Sequence, residues 1–204
     1  MKQAKLIRHG QSAANAGEAS VDHATIPLTL KGVEQAQLVA RSFTHAPDLI
    51  IASPFSRAQA TAMATVATYP DTPFETWPIQ EFTYLEPARC ANTTVAQRRD
   101  WVEAYWAKAD PAFTDGAGAE SFSGFITRVQ AFLARLAEHP AQRIAVFSHG
   151  QFINAVAWLI ECTPRVIGER AMAEWREYEI ANHVLNSGGY VLSRRAGDAG
   201  WGLG

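Results

Sequence analysis

Cysteine is nearly absent. Cys90 and Cys162 are the only two in 204 residues. That excludes a disulfide framework, and with no metal or redox spacing around them both read as reduced packing residues. An excess of one charge is also missing. Lysine and arginine number 18 against 20 aspartates and glutamates, for a net charge of −2. A chain with no large positive field is a poor partner for nucleic acid or a membrane surface, so any cationic chemistry must be local. Long apolar runs are lacking too. Phe152 to Ile160 is the most apolar late stretch, and it is interrupted by Asn154 and too short to cross a bilayer. Met1-Lys2-Gln3-Ala4 leads into a strand-like segment with no apolar leader before it. The expectation is a soluble, cytoplasmic protein with neither nucleic acid nor membrane as partner. Hydrophobic residues are plentiful, at 48% of the chain, enough to bury the core of one sizeable domain over residues 1–204.

Three near-continuous apolar runs read as buried strands of a parallel sheet: Ala4–Ile7, Leu49–Ala52 and Ile144–Phe147. Each runs into a loop, Arg8-His9-Gly10, Ser53-Pro54-Phe55-Ser56-Arg57 and Ser148-His149-Gly150 respectively. Helical periodicity lies between them, in Leu30, Val33, Ala36, Ala40 and Phe43, and again from Phe122 through Leu136. Ser56 with Gln59, and Ser148 with Gln151, fit the capping box and predict helices starting at Arg57 and His149. Strand–helix alternation points to an α/β fold with a mostly parallel sheet. Residues 69–113 break that rhythm with five prolines and nine of the 21 aromatics, and read as a cap-like excursion over one edge of the core. Glu174–Ile180 and His183–Ser193 read as late strands, one antiparallel, and Ala196–Gly204 as a loose tail.

In open α/β sheets ligands bind at the carboxyl ends of the strands. The three strand ends deliver Arg8, His9, Arg57 and His149 to one edge, where helix N-termini add N–H groups. A compact, multiply charged anion suits such a pocket, and phosphate fits it best. Each residue alone also has a plain role, an arginine as a surface charge and a histidine as a hydrogen-bonded loop residue. Convergence of three junctions is what favours a site.

The segments carrying these residues resemble the histidine phosphatase superfamily, the phosphoglycerate mutase-like proteins. Leu6-Ile7-Arg8-His9-Gly10-Gln11-Ser12 with Asn15 resembles the R-H-G signature. Pro27-Leu28-Thr29 through Gly32 to Gln35-Ala36 is similar to a PLT-x-x-G-x-x-QA segment, and Ser53-Pro54 through Arg57-Ala58 to Thr61-Ala62 to S-P-x-x-R-A-x-x-T-A. Gly118-Ala119-Glu120-Ser121 with Arg128-Val129 resembles G-x-E-S…R-V, and Ser148-His149-Gly150 the late S-H-G. These five elements stand in family order over residues 4 to about 155, with a weaker echo at Leu185–Gly188.

The resemblance implies a three-layer α/β/α fold and a phosphomonoesterase of small phosphorylated metabolites, working through a phosphohistidine on His9 without metal or cofactor. Nucleophilic attack needs a neutral imidazole whose other nitrogen holds its proton against a backbone carbonyl. Gly10 would let the chain turn sharply. Arg8, Arg57 and His149 would hold the non-bridging oxygens, with His149 cationic beside a dianion. Asn15 matches a further phosphate contact by its spacing, or is a turn residue. The proton donor would be Glu81, with Glu86 in reserve, because the family's L-x-E-x-x-x-G pattern is only half present at Ile79-Gln80-Glu81. Glu120 reads as structural, acting on a helix N-terminus. Activity should fall at acid pH as His9 takes a proton and again as the donor loses one, within pH 5 to 8. A mutase and a non-turnover phosphate- or phosphoprotein-binding module are the competing readings; length disfavours the first and the intact histidines the second. Specificity would lie in residues 69–113, where aromatics would favour a ring and Arg89, Arg98 and Arg99 a second anionic group.

Overall fold

A computed structural model describes all residues, 1–204. Six strands form one sheet: β1 (Lys2–Arg8), β2 (Leu49–Ala52), β3 (Phe74–Thr76), β4 (Arg143–Ser148), β5 (Gly189–Arg194) and β6 (Gly202–Leu203). Their order is β3-β2-β4-β1-β5-β6. The first four are parallel, whereas β5 runs antiparallel to β1, and β6 to β5. The register places Arg8 beside Ser148 and Ala52 beside Phe147, so the three predicted strands end together.

Successive side chains of a strand point to opposite faces, and the core divides accordingly. Ile7, Ile50, Ala145 and Phe147 pack on one side with Val39 and Ala62, which belong to α1 (Leu30–Arg41) and α2 (Ser56–Thr68). Leu6, Leu49, Ile51, Ile144 and Val146 pack on the other, beneath α5 (Phe122–Glu138), α6 (Gly150–Cys162) and α7 (Glu169–Ala181). This is the expected three-layer arrangement. The excursion contributes β3 and two short helices, α3 (Pro87–Cys90) and α4 (Arg99–Ala107). Its buried Trp77, Ile79, Phe82, Leu85 and Tyr105 join the larger core.

Several expectations are corrected. Glu174–Ile180 is helical, within α7. Its alternation of polar and apolar residues mimics a strand, but Ala171, Met172 and Trp175 form a buried stripe at helical spacing. The second late strand covers only Gly189–Arg194. The tail is not loose at its end, because Gly202–Leu203 pairs with β5 and Trp201 and Leu203 pack on the core. In α1 the buried stripe is Gly32, Ala36, Val39 and Ala40, whereas Leu30 is 85% exposed. Cys90 is buried, but Cys162 is exposed, so it is not a packing residue.

Candidate active site

Both capping boxes fail, and the reason lies in the site. Ser148 Oγ donates to the Ile79 carbonyl at 2.6 Å, and Ser56 Oγ to the Ile26 carbonyl at 2.9 Å. Each serine fastens a loop to the sheet edge instead of closing its own helix. The helices begin one residue away from the expected positions, at Ser56 and Gly150. The start of α6 is capped from outside, by Glu81: its Oε1 accepts from the Gln151 N–H at 3.1 Å.

Arg8, His9, Asn15, Arg57, Glu81 and Gln151 line one cavity of about 310 Å³ at the carboxyl edge of the sheet. His149 lies behind it, fully buried, with its ring centroid 5.1 Å from that of His9. Glu86 does not line the cavity; it is the N-cap of α3, packed under Gly116.

His9 Nδ1 lies 2.7 Å from the Gly10 carbonyl. A carbonyl only accepts, so Nδ1 carries the proton and Nε2 carries the lone pair. That lone pair faces Arg57 Nε at 3.1 Å. Burial, then the Arg57 cation, pushes the His9 pKa down to about 3, so the ring is neutral at ordinary pH.

Arg57 also donates through Nη1 to the His23 carbonyl at 2.6 Å, and its guanidinium lies 5.1 Å from the centroid of the Phe55 ring. Arg8 is held by the loop after α7, where Nη1 donates to the Val184 carbonyl and meets His183 Nε2 at 3.3 Å. Its Nε is buried without a partner.

His149 Nε2 lies 2.7 Å from Ser53 Oγ, and that oxygen already accepts from the Phe55 N–H. The Ser53 hydroxyl can donate to Nε2 while it accepts from Phe55; the other ring nitrogen, Nδ1, is buried without a partner. Burial first, then Arg57, His9 and Arg8, holds His149 well below the ordinary histidine range. The site as folded therefore favours the neutral ring. Arg8 Nε and His149 Nδ1 are thus both buried polar atoms without a partner within the chain.

Glu81 is opposite in character. Burial raises its pKa, opposed by Arg57 and Arg8 and assisted by Glu179. Asn15 is a turn residue: its Oδ1 accepts from the Ser12 N–H at 3.2 Å, from Ser12 Oγ and from Asn186 Nδ2. It nevertheless lines the cavity.

The segments flanking the reactive loops are buttresses. Thr29 Oγ1 caps α1 by accepting from Gly32 N–H, and Gln35 Oε1 accepts from the Gln11 N–H at 2.8 Å. Gly10 and Gly32 are glycines for close approach rather than for a turn. A Cβ on Gly10 would sit 2.4 Å from the Gly32 carbonyl oxygen. Thr61 Oγ1 accepts from the Gly10 N–H at 3.0 Å, tying α2 to the His9 loop. Glu120 is not a cap. Ser121 is the cap of α5, and Glu120 grips Arg128 through both carboxylate oxygens, at 2.9 and 2.7 Å. Arg128 Nη1 in turn donates to the Pro78 and Gln80 carbonyls at 3.0 and 2.9 Å. That pair rivets the segment immediately before Glu81.

Sequence reasoning missed His23, Phe55 and Glu179, all of which line the cavity. Their signals were weak: His23 sits in a loop without periodicity, and α7 was read as a strand. Of the expected specificity residues, Tyr84 and Arg98 line the cavity. Trp77 and Tyr105 are core, and Trp101 and Trp106 pack against it.

The family model of the histidine phosphatase superfamily (branch 1) matches residues 5–187. An adenosylcobalamin/alpha-ribazole phosphatase of Escherichia coli (strain K12) is 32% identical over 183 residues, 83% of this chain and 81% of that protein. Among solved structures, the alpha-ribazole phosphatase from Shigella flexneri aligns over 95% of this chain and 91% of that one, with a TM-score of 0.71 at 24% identity. The mycobacterial glucosyl-3-phosphoglycerate phosphatase in complex with VO3 aligns over 100% of this chain and 97% of that one, with a TM-score of 0.75 at 20% identity.

Proposed function

This chain belongs to the histidine phosphatase superfamily, and we propose that it is a phosphoric monoester hydrolase that works through a phosphohistidine on His9. The observation that carries the reading is the tautomer of His9: Nδ1 is tied to the Gly10 carbonyl at 2.7 Å, leaving Nε2 with the lone pair at the cavity.

In the proposed reaction His9 Nε2 turns from Arg57 to phosphorus and forms the P–N bond as the P–O ester bond breaks. Arg8, Arg57 and His149 N–H hold the non-bridging oxygens, and these donors are fixed before the reaction begins. Glu81, whose protonated form burial favours, gives its proton to the leaving oxygen. Water then attacks phosphorus, the P–N bond breaks, and the Glu81 carboxylate takes a proton from the water. The two guanidinium groups supply the positive charge that a metal would supply elsewhere. No helix is long and apolar enough to cross a membrane, and we place the enzyme in the cytoplasm, as a single catalytic domain whose cap is the part of residues 69–113 that follows β3.

The substrate we propose is a small phosphorylated metabolite. The relatives' names make alpha-ribazole phosphate one compound to try beside a generic aryl phosphate. Phosphate release from the aryl ester by the wild-type chain, abolished in His9→Ala, supports the reading. Equal release by His9→Ala would refute it.

A further inference from the structure

The loop between α7 and β5, residues 182–188, supplies no group to the reaction proposed above, yet it folds against the nucleophile. The Gly188 carbonyl accepts from the Arg8 N–H at 2.8 Å, and the Ser187 N–H donates to the Arg8 carbonyl at 3.0 Å. Ser187 lies at φ 64°, in the left-handed region that L side chains rarely adopt. Such a conformation persists where its surroundings hold it. The turn sets Asn186 beside the His9 backbone.

The Asn186 amide nitrogen has two hydrogens, and both are used. One goes to the His9 carbonyl at 3.0 Å, the other to Asn15 Oδ1 at 3.1 Å. The His9 carbonyl shares its peptide with the Gly10 N–H, which donates to Thr61 Oγ1 at 3.0 Å. In a planar trans peptide these two groups point opposite ways. Asn186 and Thr61 therefore grip the His9–Gly10 peptide from its two sides. Thr61 is itself oriented, because its hydroxyl donates to the Arg57 carbonyl at 2.7 Å. Rotation of that peptide would carry the Gly10 carbonyl away from His9 Nδ1, the contact that leaves the lone pair on Nε2.

The second hydrogen acts on Asn15. Its Oδ1 takes three donors, the Ser12 N–H, Ser12 Oγ and Asn186, which fixes the end of the Asn15 amide that is oxygen. The NH2 end is then left for the cavity, which Asn15 lines. We infer that Asn186 is a positioning residue for phosphoryl transfer: one amide fixes both the His9–Gly10 peptide and the direction of the Asn15 NH2 group. The inference rests on the phosphatase reading above and deepens it.

The experiment measures turnover of phenyl phosphate and the His9 tautomer in wild type, Asn186→Ala, Asn186→Asp, Asn15→Ala and the Asn15→Ala/Asn186→Ala double variant. Leu185→Ala, in the same loop and 72% exposed, is the control and should match wild type. Asn186→Ala should lower kcat by about tenfold, as a reacting group moved slightly off its line costs, with little change in KM or in thermal unfolding. Asn186→Asp has the same size but sets oxygen against oxygen, and should lose more; it carries the same comparison if Asn186→Ala does not fold. The double variant should lose less than the product of the single losses, since Asn186 acts in part through Asn15. Histidine nitrogen NMR of the free enzyme should place the His9 proton on Nδ1 in wild type and divide it between Nδ1 and Nε2 in Asn186→Ala, a change that a merely structural role would not produce. Wild-type kcat in both Asn186 variants overturns the inference, as does a fall in kcat with an unmoved tautomer and losses that multiply in the double variant. If wild type shows no His9-dependent turnover, the phosphatase reading falls instead. The spectra then decide Asn186 by themselves, and an identical His9 tautomer in wild type and Asn186→Ala removes it.

Discussion

The two ends of the cavity are built by opposite means. At the reacting end, Arg8, His9, Arg57 and His149 stand on the ends of three parallel strands and the helices after them, and each is held by hydrogen bonds to named partners. At the outer end, the wall is an excursion whose position comes from aromatic packing. Phe82 stacks on Phe125 at 4.4 Å, Trp175 meets both rings, and Tyr84 leans on Tyr105 and Trp106. Hydrogen bonds fix atoms to tenths of an ångström, which chemistry at phosphorus requires. Packing fixes a surface, and a surface can change while the chemistry stays. Glu81 is where the two regimes meet, since it belongs to the excursion yet caps α6 through Gln151.

Removing the nucleophile gives the largest effect. His9→Ala should lower kcat by about 10³-fold or more, because no other side chain can form the covalent intermediate; steady-state turnover of an aryl phosphate reads it. Glu81→Gln should follow, with a loss of about 10² to 10⁴ in kcat. It should be smallest for esters with good leaving groups, and a uniform loss across leaving groups would argue against proton donation. At the outer end the expected damage is to stability. Phe82→Ala removes a ring stacked in the core and should cost about 3–5 kcal/mol of unfolding free energy, measured by denaturant titration. Arg128→Met should matter at the junction. It frees the Pro78 and Gln80 carbonyls, and kcat should fall by roughly tenfold with little change in KM, as a donor displaced slightly from its working position would cause.

The pH dependence separates the two ends most finely. His9 takes up a proton only near pH 3, so kcat/KM should fall on the acid side only as pH drops toward that value. The expectation of an acid limb within pH 5 to 8 is corrected by burial and by Arg57. Glu81 has a raised pKa, so it stays protonated further up the pH scale than an ordinary glutamate. Activity should fall as pH rises through that raised value, and Glu81→Gln should abolish this basic limb. A basic limb unchanged in Glu81→Gln would assign the donor elsewhere.

The reacting end was legible because strand ends are. An apolar run followed by a basic loop places its side chains at a predictable edge, and Arg8, His9, Arg57 and His149 do meet. Most serines and threonines beside them were legible as types but not as partners: Ser148 reaches Ile79 and Thr61 reaches Gly10, contacts far apart in the chain. The outer wall was much less legible. Aromatic content told that residues 69–113 pack against something, but not which ring faces the cavity, and Trp77 and Tyr105 turned inward. The misread period of α7 hid Glu179, and the charge of Glu120 gave no hint that Arg128 was its partner.

The most direct measurement is the fate of phosphorus on the enzyme itself. Wild type mixed with an aryl phosphate, quenched at alkaline pH within a turnover and digested, should yield one phosphorylated peptide containing His9, with the label on Nε2 by phosphorus NMR and absent in His9→Ala. A labelled peptide lacking His9, or rapid turnover with no labelled histidine at any time point, would contradict the account.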